Sequence, residues 1–281
     1  MNFSVLMSVY HGEDPAHLRD SMQSLFDQTQ CPGEIVLVED GPLTPDLERE
    51  IARVRQSFLG LRIVPLPQNV GLGAALNAGL AHCANELVAR MDTDDLAVPD
   101  RFARQVAEFE RDPELVLVGS SVAEFETDPK RIERVRSVPT SSEDIRRLFA
   151  QRCPVNHPTV MFRKSAVQAA GGYDAKFVQE DYYLWGRMLA LGHKFRNLPE
   201  PLVLMRCGAG LFARRGGMRY ALSEARLQCE FHRLGLIGAG QVVVNVLARF
   251  AVRLMPDALR KSLYTRFLRS RAVPARSVDQ W

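Results

Sequence analysis

The chain has 281 residues, 46% of them hydrophobic and 25% charged, and a net charge of +3. That is an ordinary globular composition, with room for one large domain or two small ones around a sizeable core. Eight Lys and Arg against two Asp from 240 to 281 give that segment +6 and leave −3 for the rest, so the basic excess belongs to the C-terminal part alone. The five cysteines (Cys31, Cys83, Cys153, Cys207, Cys229) are odd in number and scattered, which excludes a zinc spacing or a disulfide framework and suits a reducing compartment. Met1 runs straight into a strand, so no signal peptide is expected, and no apolar run approaches the ~20 residues of a spanning helix.

In chain order, Phe3 to Tyr10 is rich in β-formers and predicts the first strand. His11 to Pro15 is a turn into a helix with Leu18, Met22, Leu25 and Phe26 on one face. Glu34 to Val38 predicts a second strand, ending in Glu39-Asp40-Gly41-Pro42, then a helix over about 44–58 and a third strand over 61–66. Gln68-Asn69-Val70-Gly71-Leu72-Gly73 opens the next helix. Leu87, Val88, Ala89 and Met91 form a buried strand that ends in Asp92, Asp94 and Asp95, and a helix follows from Pro99 to Arg111. This alternation predicts a mostly parallel sheet with helices on both faces. Three loops, 10–14, 39–41 and 92–95, should then emerge together at the carboxyl edge, where such sheets bind ligands. Beyond Leu115 the pattern predicts strands over 115–125, 156–162 and 194–205. It also predicts helices over 141–150, 164–170 and from Glu180, the last with Leu184, Trp185, Met188 and Leu191 inward.

Carboxylates at a strand end need compensation. Mg²⁺ commonly takes one or two together with substrate phosphates, and a solvated acidic turn is the alternative for 92–95. Asp40 suits a base N–H or ribose hydroxyl, or equally the cap of the following helix. Gly71 and Gly73 permit close approach to a ligand or only a tight turn. Glu180-Asp181 is a carboxylate pair at a helix start, either a charged first turn or a source of a general base. No P-loop lysine and no G-x-G-x-x-G after the first strand are found.

Several motifs stand in order: Ser8-Val9-Tyr10-x-x-Glu13, Glu34 to Gly41, Asn69-x-Gly71-Leu72-x-x-Ala75-x-Asn77-x-Gly79, Ala89-Arg90-Met91-Asp92-Thr93-Asp94-Asp95 with Pro99 and Arg101, His157 to Arg163, Gly171-Gly172-Tyr173, and Glu180-Asp181-Tyr182-x-Leu184-Trp185. Over about residues 3 to 206 the chain resembles family 2 glycosyltransferases of GT-A fold, in their bacterial exopolysaccharide and lipopolysaccharide branch. The resemblance implies an inverting enzyme with a nucleotide-sugar donor, often a UDP-sugar. Asp40 would contact the base, with Val9, Tyr10 and Glu13 beside it and Asn69 and Gly71 in the same nucleotide-sugar site. Asp92 would face the ribose or the metal, and Asp94 of the DXD motif would ligate Mg²⁺ or Mn²⁺, with Asp95 competing for that role. Asp181 would be the base, while Glu180, His157 and Arg163 would lie on the acceptor side. It further implies a GT-A domain over 1–206, with a nucleotide-sugar half (1–114) and an acceptor half (115–206), followed by a helical basic extension over 207–281.

Two departures bear on this. Ser8 replaces the family's usual Pro, and Tyr183 stands where many relatives carry Asp. The absence of a Gln-x-x-Arg-Trp motif and of spanning helices argues against a processive synthase and for transfer of a single sugar; the resemblance implies a saccharide or lipid-linked acceptor, in cell-surface polysaccharide synthesis. The alternative is a non-catalytic protein that keeps the fold. From Gln241, the polar residues Gln241, Asn245, Arg249 and Arg253 fall four apart in an apolar helix, and a second amphipathic helix is expected over about 259–269. These helices pack on the catalytic domain or in a dimer, or else segment 240–271 touches an anionic membrane, placing the protein at the inner face of the cytoplasmic membrane. No nucleic-acid recognition module is present.

Overall fold

The computed structural model describes residues 1–207 and 218–254. In chain order the strands and helices are β1 (Phe3–Val9), α1 (Pro15–Phe26), β2 (Glu34–Glu39), α2 (Pro45–Ser57), β3 (Leu61–Pro65), α3 (Leu72–His82), β4 (Leu87–Arg90), β5 (Leu96–Ala97), α4 (Arg101–Arg111), β6 (Leu115–Phe125), β7 (Arg134–Arg136), α5 (Ser142–Phe149), β8 (Met161–Arg163), α6 (Lys164–Ala169), α7 (Glu180–Ala190), β9 (Lys194–Arg206), α8 (Met218–Arg233) and α9 (Ala239–Leu254). The strands make one sheet in the order β3-β2-β1-β4-β8-β6-β9-β5, with β7 beside β6. The first four are mutually parallel, as strand-helix alternation requires. β8 enters antiparallel between β4 and β6, and β9 runs parallel to β6.

Period-two alternation divides the core. Phe3, Val5, Met7 and Val9 of β1 pack with α1, α2 and α4 on one face, while Leu6 packs with α3 and α7 on the other. The helix starts are chemically specified. Asp14 accepts from the Ala16 amide, Thr44 from Leu47 and Ser141 from Asp144, and Pro15 and Pro45 occupy first-turn positions.

Two features differ from expectation. Residues 156–162 are not one strand: Pro158 has no amide to donate, the Thr159 amide turns back to the Asn156 carbonyl, and a short 3₁₀ turn precedes β8. The two- and three-residue strands β5 and β7 exist only through pairing with β9 and β6. β9 is one long strand whose register with β6 shifts beside Pro199 and Pro201, residues that cannot donate to a ladder.

The helical extension is joined to the sheet's core. Phe231 of α8 meets Phe149 and Tyr182 in a triangle of edge-on rings, with centroids 4.7 and 4.8 Å away, and Leu227 is buried in the same cluster. The described part of the polar stripe of α9 turns inward: Asn245 is buried, and Asn245 and Arg249 donate to the Ala150 and Gln151 carbonyls. No described helix is long and apolar enough to cross a membrane. The helix expected over 259–269, and the part beyond 254 of segment 240–271, for which membrane contact is expected, lie outside the described residues.

Candidate active site

The carboxyl ends of β1, β2 and β4 gather the three polar loops at one edge, as parallel pairing demands. Val9 is buried at the end of β1, and Tyr10 beyond it is 36% exposed, with its ring folded over Gly12. The Glu13 amide closes the turn on the Tyr10 carbonyl at 3.1 Å.

Asp40 does not cap α2, whose cap is Thr44. Its buried carboxylate reaches across the edge instead. One oxygen accepts from the Val70 amide at 2.7 Å and the other from the Gly71 amide at 3.1 Å, while Asn69 Nδ2 donates to the Asp40 carbonyl at 3.2 Å. Gly41 has φ +87°, and a Cβ there would stand 2.6 Å from the Asn69 nitrogen, so the approach of these two loops requires glycine. Asp40, Asn69 and Gly71 therefore form one joint at the mouth of the sheet.

The acidic loop is the centre of the edge. Ligand atoms of Asp92, Asp94 and Asp95 all lie within 4.8 Å of one another. Arg90, 2% exposed on a strand of apolar residues, grips both Asp92 oxygens with its two terminal nitrogens. Burial works against the Arg90 charge and Asp92 outweighs it, so the guanidinium is held firmly protonated. Asp95 is buried. One of its oxygens accepts from the Arg206 amide at 2.9 Å, and the other has no hydrogen-bond partner. Burial and the Asp92 and Asp94 charges push the Asp95 carboxyl well up, and burial followed by Asp92 raises that of Asp94. Arg206 Nε also donates to the Asp94 carbonyl at 3.2 Å. Behind the loop Arg101 donates to the Arg90 carbonyl at 2.7 Å, and burial and the Arg90 charge push it down to about 9. Three crowded carboxylates, one with an orphaned buried oxygen, fit a divalent cation with oxygen ligands.

The second acidic pair opens α7. Glu180 lies against the start of α3, its Cγ 3.2 Å from where a Cβ on Gly73 would sit. Burial first, then the Asp181 charge, pushes the Glu180 carboxyl up to about 7, and Arg90 and Asp92 also act on it. The charge of Asp181 reaches Cys153 and Tyr173 as well. The two acidic groups thus share one electrostatic environment. His157 is half-buried, with Nε2 3.0 Å from the Tyr173 hydroxyl and its ring against Trp185. Burial and Arg90 lower its pKa well below the usual imidazole range, so it is neutral. Arg163 points elsewhere, donating to the Leu115 and Pro113 carbonyls behind the sheet.

Sequence reading assigned no role to Arg90, Asn77 or Arg206. An arginine within Leu-Val-Ala-Arg-Met was a readable signal, because a buried charge demands a partner. Asn77 exchanges two hydrogen bonds with the Tyr173 backbone, at 2.7 and 2.8 Å, tying α3 to the turn ahead of α7. Asn77 and Tyr173 each stand in a motif, yet their pairing, like Arg206 at Asp95, has no local signature.

Comparison with known proteins agrees with this geometry. The profile of Glycosyl transferase family 2 matches residues 4–171. An uncharacterized glycosyltransferase of Haemophilus influenzae is 48% identical over 96% of this chain and 100% of its own length. The amylovoran biosynthesis glycosyltransferase AmsE of Erwinia amylovora is 42% identical over 93% of this chain and 97% of its own. The UDP-Gal:alpha-D-GlcNAc-diphosphoundecaprenol beta-1,3-galactosyltransferase of Escherichia coli is 36% identical over 95% and 96%. Among solved structures, Staphylococcus aureus TarS 1-349 in complex with UDP-GlcNAc superposes with TM-score 0.67 at 17% identity, over 96% of this chain and 76% of that one. That likeness is to a glycosyltransferase of GT-A fold.

Proposed function

This chain belongs to glycosyl transferase family 2, and from that premise we propose that it is an inverting, metal-dependent enzyme that moves one sugar from a UDP-sugar to a saccharide or lipid-linked acceptor in cell-surface polysaccharide synthesis. The observation that carries the reading is the convergence of two acidic sites, Asp92-Asp94-Asp95 and Glu180-Asp181, in one field centred on buried Arg90. One site suits the leaving diphosphate and the other the incoming hydroxyl.

In this reading Val9, Tyr10 and Glu13 line the nucleotide, and Asp40 with Asn69 and Gly71 fixes the shape of its pocket. Asp94, with Asp95 or Asp92, would hold Mg²⁺ or Mn²⁺, which when bound supplies positive charge for the diphosphate leaving group. Arg90 offsets the Asp92 charge, which favours an anionic donor. Asp181 takes the proton of the acceptor hydroxyl as that oxygen forms its bond to the anomeric carbon. The bond from that carbon to the diphosphate breaks on the opposite face, so configuration inverts and the nucleoside diphosphate leaves with the electron pair. Neutral His157 and Glu180 border the acceptor side. The acceptor preference draws support from the E. coli relative, whose name specifies a diphosphoundecaprenol acceptor; in this reading the enzyme works at the inner face of the cytoplasmic membrane.

The test is a thermal-shift panel of UDP-, GDP-, dTDP- and CMP-sugars with Mn²⁺ or EDTA, followed by NMR of the product anomer. A ligand bound only by the native state raises stability with its occupancy. A shift with UDP-sugars that EDTA removes, and an anomer opposite to the donor's, are expected. No shift with any donor, or retention of configuration, contradicts the reading.

A further inference from the structure

Helix α9 is amphipathic in the reverse of the usual sense. Its described polar side chains, Gln241, Asn245 and Arg249, face the protein. Gln241 Nε2 donates to Asn245 Oδ1 at 2.8 Å, and Asn245 Nδ2 donates to the Ala150 carbonyl and to Gln228 Oε1, both at 2.7 Å. Arg249 donates to the Gln151 carbonyl at 2.7 Å and lies 3.8 Å from Glu224. Its outer face exposes Val243 (57%), Val244 (60%) and Leu247 (65%), with Ala248 and Ala251 exposed one turn on. Among the described side chains of α9, every exposed one is apolar. Water is a poor neighbour for such a face.

We infer that this face seats the enzyme on an anionic phospholipid bilayer. The inference rests on the proposed lipid-linked acceptor and names the surface that meets the lipid. Charge selects the occupant. Residues 255–281, directly after α9, carry six Lys and Arg (Arg260, Lys261, Arg266, Arg269, Arg271, Arg276) against Asp257 and Asp279. An anionic headgroup layer complements that segment. A second copy docked on the same face would bring two such segments together. A helix of 16 residues with its apolar side outward lies in the interface rather than spanning it. Position agrees as well. The stripe of α9 holds Ala150 and Gln151, and Tyr182, next to Asp181, donates to the Phe149 carbonyl of the same segment. A bilayer under α9 would deliver a lipid-linked hydroxyl one layer away from the base.

The test uses the full chain and its double variant Val244→Glu, Leu247→Glu, first checked for an unchanged melting temperature. Each is sedimented with vesicles of phosphatidylcholine alone or mixed with phosphatidylglycerol. The wild type should partition onto the anionic vesicles, and the variant's partition coefficient should fall by about tenfold or more. Transfer to a water-soluble acceptor should be equal in the two proteins. Equal partition of wild type and variant overturns the inference. So does a wild-type dimer that the variant dissociates, which assigns the face to a second copy. So does a lowered melting temperature of the variant, because a charge forced under a covering segment is costly, and that result assigns the face to the chain's own C-terminal segment. Loss of soluble transfer in the wild type with vesicle binding intact would sink the proposed function and leave this surface standing.

Discussion

Arg90 and Asp92 are joined fork to fork: a guanidinium with 2% exposure holds both oxygens of a carboxylate that is one-third exposed. The pair sits under the acidic loop, and its cation is the counterweight to three carboxylates. Arg90→Met leaves that charge uncompensated. Urea unfolding should show a loss of about 3 kcal/mol, the scale for breaking a buried pair. Arg90→Lys should recover only part of it, because an ammonium cannot form the fork. Equal stability of Arg90→Met and wild type would contradict this role.

Asn77 ties the two halves of the site. Its side chain donates to the Tyr173 carbonyl and accepts from the Tyr173 amide. Asn77→Ala strands both backbone groups at a cost of about 1–3 kcal/mol. Because α3 also abuts Glu180, kcat should fall more than donor affinity does. A variant that loses donor affinity alone would place the effect in the nucleotide half.

Asp40 works as a joint between loops. Asp40→Ala removes the acceptor for the Val70 and Gly71 amides and frees the segment that opens α3. UDP titration by calorimetry should show weakening of about tenfold or more, the equivalent of one lost charge-assisted contact. Asp40→Asn, which keeps one acceptor oxygen, should fall between the two. Unchanged UDP affinity in Asp40→Ala would remove this joint from the donor site.

Glu180 gives the protein a pH signature. Its carboxyl is raised from 4.5 to about 7, first by burial and then by Asp181. The folded state therefore holds a proton that the unfolded chain releases. That contribution is fully present below pH 4.5 and is lost as pH rises through 7. Glu180→Gln is neutral throughout, so its melting temperature relative to wild type should climb by a few degrees from pH 5 to pH 8, an effect of at most about 3 kcal/mol. A pH-independent difference would contradict the shift.

The parallel half of the fold was legible because strand and helix periods alternate cleanly from Phe3 to Arg111, and because three strands end in polar loops. That geometry alone brings Asp40 and Asp92 to one edge. The second half was less legible. β5 and β7 depend on partners far along the chain, and the 3₁₀ turn at His157 depends on one proline. The stripe on α9 was visible in the sequence, yet its direction was not. Gln241, Asn245 and Arg249 read equally as a solvent face or an inward one, and only Ala150, Gln151 and Gln228 decide between them. Likewise the sequence placed Glu180 beside Asp181, while its contact with the start of α3 at Gly73 is purely tertiary.

The central claim is that Asp181 is the base. The direct measurement is sugar transfer by Asp181→Asn alongside its affinity for the UDP-sugar. The variant should bind donor as the wild type does while kcat falls by about a thousandfold, the scale of a lost general base. Transfer at the wild-type rate by a variant that binds donor normally would contradict the account.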